Sequence, residues 1–185
     1  PSVHDRCWDP FWQACEETET VICLHVGSSS STMTTSPDAP PDVATMLFPL
    51  SAWLAAADWV FSKVPIRYPK LKIVLGHMGE GLPFWLQRLD NRYLLQVKIG
   101  AVKKMPRLPS EYFLDNFVIT TSGVMSAPAL KLSIDVLGID RIMFAADYPY
   151  ESVEEGVQFM DKVDISEEQR KKIYSTNAER IFRLA

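Results

Sequence analysis

Four short apolar runs interrupt a mixed chain, and each stops at a polar or glycine-containing step. They are Val21-Ile-Cys-Leu-His25, Lys72-Ile-Val-Leu75, Phe117-Val-Ile-Thr-Thr121 and Arg141-Ile-Met-Phe-Ala-Ala146. Runs of this length, rich in β-branched residues and bounded by turn formers, predict strands. Helical patterns lie between them. Asp9-Pro10 pairs an N-cap with a proline at the first helical position and opens a helix to about Glu17. Leu47, Leu50, Leu54, Ala57 and Phe61 recur at helical spacing and predict a helix over 44–65. Leu82, Trp85, Leu86, Leu89 and Tyr93 do the same over 82–97, and Ala127 to Leu137 predicts a further helix closed by Gly138. After the last strand, Ser152 with Glu155, Ser166 with Gln169 and Thr176 with Glu179 read as three capping boxes, hence three short helices. The segment "SSSSTMTTSPDAPPDV" has too few apolar residues for core, and reads as a long active-site loop or a partly disordered stretch.

Continuous apolar strands alternating with helices predict an α/β fold of parallel β/α units buried on both faces. In such folds the carboxyl ends of the strands open onto one common face, where sites are built. The four ends carry His25-Val-Gly, His77-Met-Gly-Glu80, Thr120-Thr-Ser-Gly123 and Asp147-Tyr-Pro. Each has a plain structural reading: a hydrogen-bonded histidine, a glycine-rich strand-to-helix turn, or an Asp-initiated turn set by proline. Together, two of the chain's three histidines and an aspartate fall at three corresponding ends, which expects them around one small volume. Ser122 and Asn177 are weaker candidates, Asn177 reading as part of the last helix's first turn. Phe84 and Trp85 read either as core or as pocket walls.

Composition adds mainly exclusions. The chain has 185 residues, 47% hydrophobic and 23% charged, with a net charge of −4. That length fits one domain, over 1–185. The balance gives no electrostatic footprint for nucleic acid or an anionic membrane. Three cysteines, odd in number and without metal-ligand spacing, read as reduced thiols and a cytoplasmic location. "PSVHDRCWDPFW" has neither the basic start nor the apolar middle of a signal peptide, and it lacks an initiator methionine. The expectation is a chain beginning partway through a larger gene product.

The motifs "LHVG", "VLGHMGEGLPFWLQRLDNRY", "NFVITTSG", "DRIMFAADYPYE" and "NAERIFRL", in this order, resemble the amidohydrolase-2 family of the amidohydrolase superfamily. Within it the similarity is to the aminocarboxymuconate-semialdehyde and dihydroxybenzoate (resorcylate) decarboxylases, and it spans nearly the whole chain. The resemblance implies a TIM-like (β/α)8 barrel holding one divalent metal, usually zinc and sometimes manganese. By position it implies metal ligation by His25 after the fifth barrel strand and by Asp147 after the eighth. It implies catalysis by His77 after the sixth strand, accompanied by Glu80, with Asp147 contributing to proton transfer. Imidazole and carboxylate suit a borderline divalent ion, and a histidine moves protons near neutral pH.

The chain departs from that pattern at one place. The family's H-x-H or E-x-H ligand motif at the end of the first strand has no counterpart here. His4-Asp5 precedes a helix rather than ending a strand, and His4 reads as a solvated loop residue. The segments amount to strands five to eight, the C-terminal half of the barrel. Half a barrel exposes parallel strand edges, so association into a homo-oligomer, or with a missing N-terminal half, is expected. Two ligands are few for tight zinc, so weak or absent metal is expected in this chain alone. Three functions stay open: a metal-dependent decarboxylase of a small aromatic or unsaturated carboxylic acid, or an incomplete fragment of one that is inactive alone; a metal-dependent hydrolase of an ester, lactone or amide; and a non-catalytic half-barrel fragment or pseudoenzyme.

Overall fold

The computed structural model describes Val3, residues 5–25 and residues 43–184; His4 and the Ser/Thr/Pro segment 28–42 lie outside the described residues. Its centre is a sheet of four parallel strands in sequence order: β1 (Ile22–Leu24), β2 (Ile73–Leu75), β3 (Phe117–Thr120) and β4 (Ile142–Met143). Register is direct, with Cys23 opposite Val74, Val74 opposite Val118, and Thr120 opposite Met143. This is the α/β arrangement expected from the four apolar runs. Because strand side chains alternate in direction, Ile73, Leu75, Phe117, Ile119 and Ile142 face one way, into the main core. Val74, Val118 and Met143 face the other way and join a smaller cluster with Ile181.

Helices cover the first of these faces, and the last of them packs Ile181 on the second. They are α1 (Asp9–Glu17), α2 (Val43–Phe61), α3 (Val64–Arg67), α4 (Leu82–Lys98), α5 (Pro109–Asn116), α6 (Ala127–Leu137), α7 (Val153–Lys162), α8 (Glu167–Lys171) and α9 (Asn177–Phe182). Trp59, Leu82, Phe113, Leu130 and Met160 bring α2, α4, α5, α6 and α7 into the main core. The indole of Trp59 meets the ring of Phe117 edge-on at 5.4 Å. Two buried asparagines tie the chain where it enters strands. Asn116 donates to the carbonyls of Pro69 and Leu71, before β2, and Asn177 donates to those of Ile139 and Ile142, at the start of β4.

The structure corrects four sequence expectations about elements. The helix over 44–65 breaks after Phe61, because Lys63 adopts φ 65° and Pro65 opens a new turn. The strand over 141–146 shortens to two residues, because the Phe144 amide donates to Ile173 and Ala145 bonds a side chain. Thr176 caps nothing: α8 runs through a π-turn (Lys172–Thr176) into α9, so no helix begins there. Helix α5 was missed, although Pro109 sits in its first turn and the Glu111 carboxylate accepts from the Leu108 amide. The capping hydroxyls of Ser152 and Ser166 are as expected.

Candidate active site

After β2 the chain enters an unusual turn. His77, Met78, Gly79, Glu80 and Gly81 all have positive φ, at 46°, 53°, 75°, 51° and 80°. Left-handed backbone costs an L-residue about 1–2 kcal/mol, so a run of this kind survives only where contacts hold it. Here the Gly79 amide donates to the Gly76 carbonyl at 2.7 Å and the Glu80 amide to the His77 carbonyl at 3.1 Å. The turn brings side chains three residues apart onto one side. His77 Nδ1 meets Glu80 Oε1 at 2.7 Å, with the Glu80 side chain only 3% exposed. A buried carboxylate at that distance fixes the imidazole orientation and places the Nδ1 proton between the two groups.

The other imidazole nitrogen reaches β4's end. His77 Nε2 lies 3.2 Å from Asp147 Oδ2, and Asp147, itself at φ 68°, places Oδ1 3.5 Å from His25 Nε2. The amides of Tyr150 and Glu151 both donate to the Asp147 carbonyl, folding the chain back beneath it. His25, at the end of β1, is half exposed, and its ring lies 5.6 Å from that of His77. The structure therefore gathers His25, His77, Glu80 and Asp147, the four sequence candidates, at one rim of the sheet.

The electrostatics follow from the contacts. With no metal present, the imidazole of His77 is raised to about 9. The hydrogen bond to Glu80 is the main cause, burial opposes it, and the hydrogen bond to Asp147 adds to the rise. Protonated, His77 thus donates from Nδ1 to Glu80 and from Nε2 to Asp147.

A divalent ion can be tested against the same donors. His25, His77 and Asp147 each offer one ligand atom, all within 4.8 Å of one another. Ligands about 2.0–2.2 Å from a common centre stand roughly 3–4 Å apart, so a small contraction would close the set. Two imidazoles and a carboxylate are the donor chemistry of zinc and manganese sites, and the fit is good. His77 stands third in reach, through Nε2 when that nitrogen carries no proton, beside the two residues that sequence reading assigned to metal.

These groups form part of the wall of an open cavity of about 1430 Å³. Phe84 lines it and is 71% exposed, so of its two sequence readings the pocket wall is the observed one. Trp85 instead packs against Trp53 at 6.3 Å. Sequence reading missed Tyr150 and Glu151, which line the cavity beyond Asp147, and Phe48 of α2. The "DYPYE" motif held the first two, but only the turn closed on the Asp147 carbonyl brings them to the cavity wall. Ser122 adjoins the site and Asn177 does not, being bound to carbonyls at the start of β4.

The Amidohydrolase family profile matches residues 1–184 of the chain. A gamma-resorcylate decarboxylase of Polaromonas sp. (strain JS666) is 32% identical over 193 residues, covering 95% of this chain and 54% of that protein. The crystal structure of 5-carboxyvanillate decarboxylase from Sphingomonas paucimobilis superposes with a TM-score of 0.91 at 36% identity, over 100% of this chain and 56% of that one. A dihydroxybenzoic acid decarboxylase from Polaromonas sp. JS666, solved with manganese and the inhibitor 2-nitroresorcinol, gives a TM-score of 0.80 at 30% identity, over 99% of this chain and 55% of that one. The chain thus spans about half the length of the curated relatives it matches, and its four β/α units correspond to the C-terminal half of a TIM-like barrel.

Proposed function

The chain belongs to the amidohydrolase family, and from that premise we propose that it carries the strand-end site of a metal-dependent decarboxylase acting on a small aromatic carboxylic acid. The observation that carries this reading is the row Glu80, His77, Asp147, linked at 2.7 and 3.2 Å, with His25 beside it on the cavity wall. The relatives named above are decarboxylases of hydroxylated benzoates, which supports the substrate class.

His25 and Asp147 would hold the ion, with His77 in reach. When bound, the ion supplies positive charge against the substrate carboxylate and a neighbouring ring oxygen. Manganese, present in one solved neighbour, is the first ion to test, and zinc suits the same donors.

The rest of the chemistry belongs to side chains. Loss of carbon dioxide requires a proton at the ring carbon that bears the carboxylate. Protonation there breaks the ring's conjugation, and cleavage of the carbon–carboxylate bond returns its electron pair to the ring as carbon dioxide leaves. Asp147, or the His77–Glu80 pair acting beside it, would deliver that proton. Glu80 holds the imidazole so that Nε2 faces Asp147. Phe84 offers an aromatic wall against which a benzoate ring can lie and from which water is displaced.

The chain, supplied with manganese or zinc, is to be incubated with a panel of hydroxybenzoates beside simple lactones. Bicarbonate release without lactone turnover, lost in His77→Ala, is expected. Lactone turnover instead would make the chain a hydrolase. No turnover of either kind, with His77→Ala indistinguishable from the parent, would leave a non-catalytic half-barrel.

A further inference from the structure

Between the turn that carries His77 and the segment that carries Asp147 runs the end of β3, Thr120-Thr-Ser-Gly123. Its hydroxyls are buried: Thr121 is 5% and Ser122 4% exposed. Ser122 Oγ accepts the His77 amide at 3.1 Å and is linked to Thr120 Oγ1 at 2.9 Å. Thr121 Oγ1 clasps Ala145 from both sides, accepting its amide at 3.3 Å and donating to its carbonyl at 3.2 Å. Ala145 stands two residues before Asp147. One strand end therefore grips the main chain of both flanking segments, through neighbouring side chains that point to opposite sides. Gly123 completes the contact, since a β-carbon there would lie 3.2 Å from His77 Cδ2.

We propose that Thr121 and Ser122 are positioning residues whose hydroxyls form a bracket setting the distance and angle between His77 and Asp147. The inference deepens the functional reading above and rests on it only for its consequences in turnover. His77 and Asp147 both hold left-handed backbone, a conformation that relaxes unless neighbours over-determine it. Without Ser122 Oγ the His77 amide loses its acceptor. Without Thr121 Oγ1 both polar groups of Ala145 lose theirs. Either loss loosens the His77 ring: the first frees its backbone, and the second withdraws the Asp147 carboxylate that steadies it at Nε2. A hydroxyl that merely filled space would have no such directional effect.

Two readouts test the bracket on the full chain. The first needs no metal: in nitrogen-resolved NMR, the imidazole Nδ1 proton between His77 and Glu80 should exchange slowly in the parent. In Ser122→Ala and Thr121→Val its exchange should quicken at least tenfold while the far-ultraviolet spectrum stays folded. Ser122→Thr and Thr121→Ser, which keep the oxygens, should retain slow exchange. The second readout is manganese affinity by calorimetry, which should fall about 10- to 100-fold in the first two variants and recover in the second two. If Ser122→Ala does not fold, Ser122→Cys keeps the volume with a weak acceptor and replaces it in the comparison. Parental proton exchange in both hydroxyl-deleted variants overturns the proposal, as does parental manganese affinity in both. A parent chain that binds no manganese would count against the functional reading, while the proton exchange still decides the bracket.

Discussion

Replacing Gly79 by alanine probes the left-handed turn on which His77 and Glu80 depend. Gly79 has φ 75°, and a β-carbon there would stand 2.9 Å from Ile119 Cγ2 and 3.4 Å from Pro83 Cδ. Ile119 is fully buried on β3, so its methyl has no empty space to enter. Left-handed backbone costs alanine about 1–2 kcal/mol. Forcing a carbon into a packed core adds about 1–3 kcal/mol, and the reduced freedom of the unfolded chain returns roughly 0.4–1 kcal/mol. The net expectation is a destabilisation of about 1–5 kcal/mol, centred near 3. Gly100 supplies an internal standard, because its φ of 74° is nearly the same and nothing lies within 4 Å of its missing β-carbon. Gly100→Ala should therefore cost only the backbone strain less that return, about 0–1.6 kcal/mol. Urea unfolding followed by fluorescence of the five tryptophans measures both on one scale. If Gly79→Ala unfolds at the same urea concentration as Gly100→Ala, the close approach of the turn to β3 is refuted. If both match the parent, the left-handed turn itself is.

In the metal-free chain, Glu80→Gln should lower the titration of His77 from about 9 toward its ordinary range, because Glu80 is the main cause of the rise. A raised folded-state value stabilises below the unfolded value of 6.5 and is lost as pH passes through about 9, so the parent should exceed the variant in stability at pH 6 far more than at pH 10; an equal gap at both would refute the assignment. Asn177→Ala strips the donor from the buried carbonyl of Ile142 and the half-buried one of Ile139 and should cost about 2–4 kcal/mol in denaturant unfolding, a loss under about 1 kcal/mol contradicting it. Phe84→Ala, at a side chain 71% exposed, should leave stability within about 0.5 kcal/mol yet weaken binding of 2,6-dihydroxybenzoate to the metal-loaded chain by calorimetry; unchanged binding would remove Phe84 from the pocket wall.

The sheet was legible because its strands are buried on both faces and so appear as unbroken apolar runs. The four site candidates were legible for a related reason: where a parallel strand stops, the next polar residue has one common face to occupy. What the pattern concealed was made by the backbone. Lys63 ends a helix by turning left-handed, which nothing in a run of apolar residues announces. Thr176 carries the residues of a capping box, but the π-turn before it keeps the helix continuous and leaves no free amides to cap. The contact between His77 and Glu80 likewise depends on five successive positive φ angles. "GHMGEG" hints at such a turn through its glycines, but its two non-glycine site residues are left-handed as well. Phe84 reads in sequence as either core or pocket wall, and lies at the cavity because α4 starts at that turn.

The two oxygens of Asp147 show how one side chain can serve two neighbours. Oδ1 lies toward His25 and Oδ2 toward His77, so the contacts to the two imidazoles do not compete for one atom. In the proposed reading, the first oxygen belongs to metal binding and the second to the proton shared with His77. The division requires the carboxylate plane to stay fixed relative to both rings. A free aspartate on a flexible loop would rotate and exchange its oxygens. Asp147 instead has its carbonyl held by two amides and its approach held at Ala145 by the Thr121 hydroxyl. Its opposite number, His77, is held at one ring nitrogen by a buried carboxylate and at its amide by Ser122. Strain in the two backbones and hydroxyls on the strand between them are thus parts of the same device, since neither left-handed residue could hold its angle without the contacts that also aim its side chain.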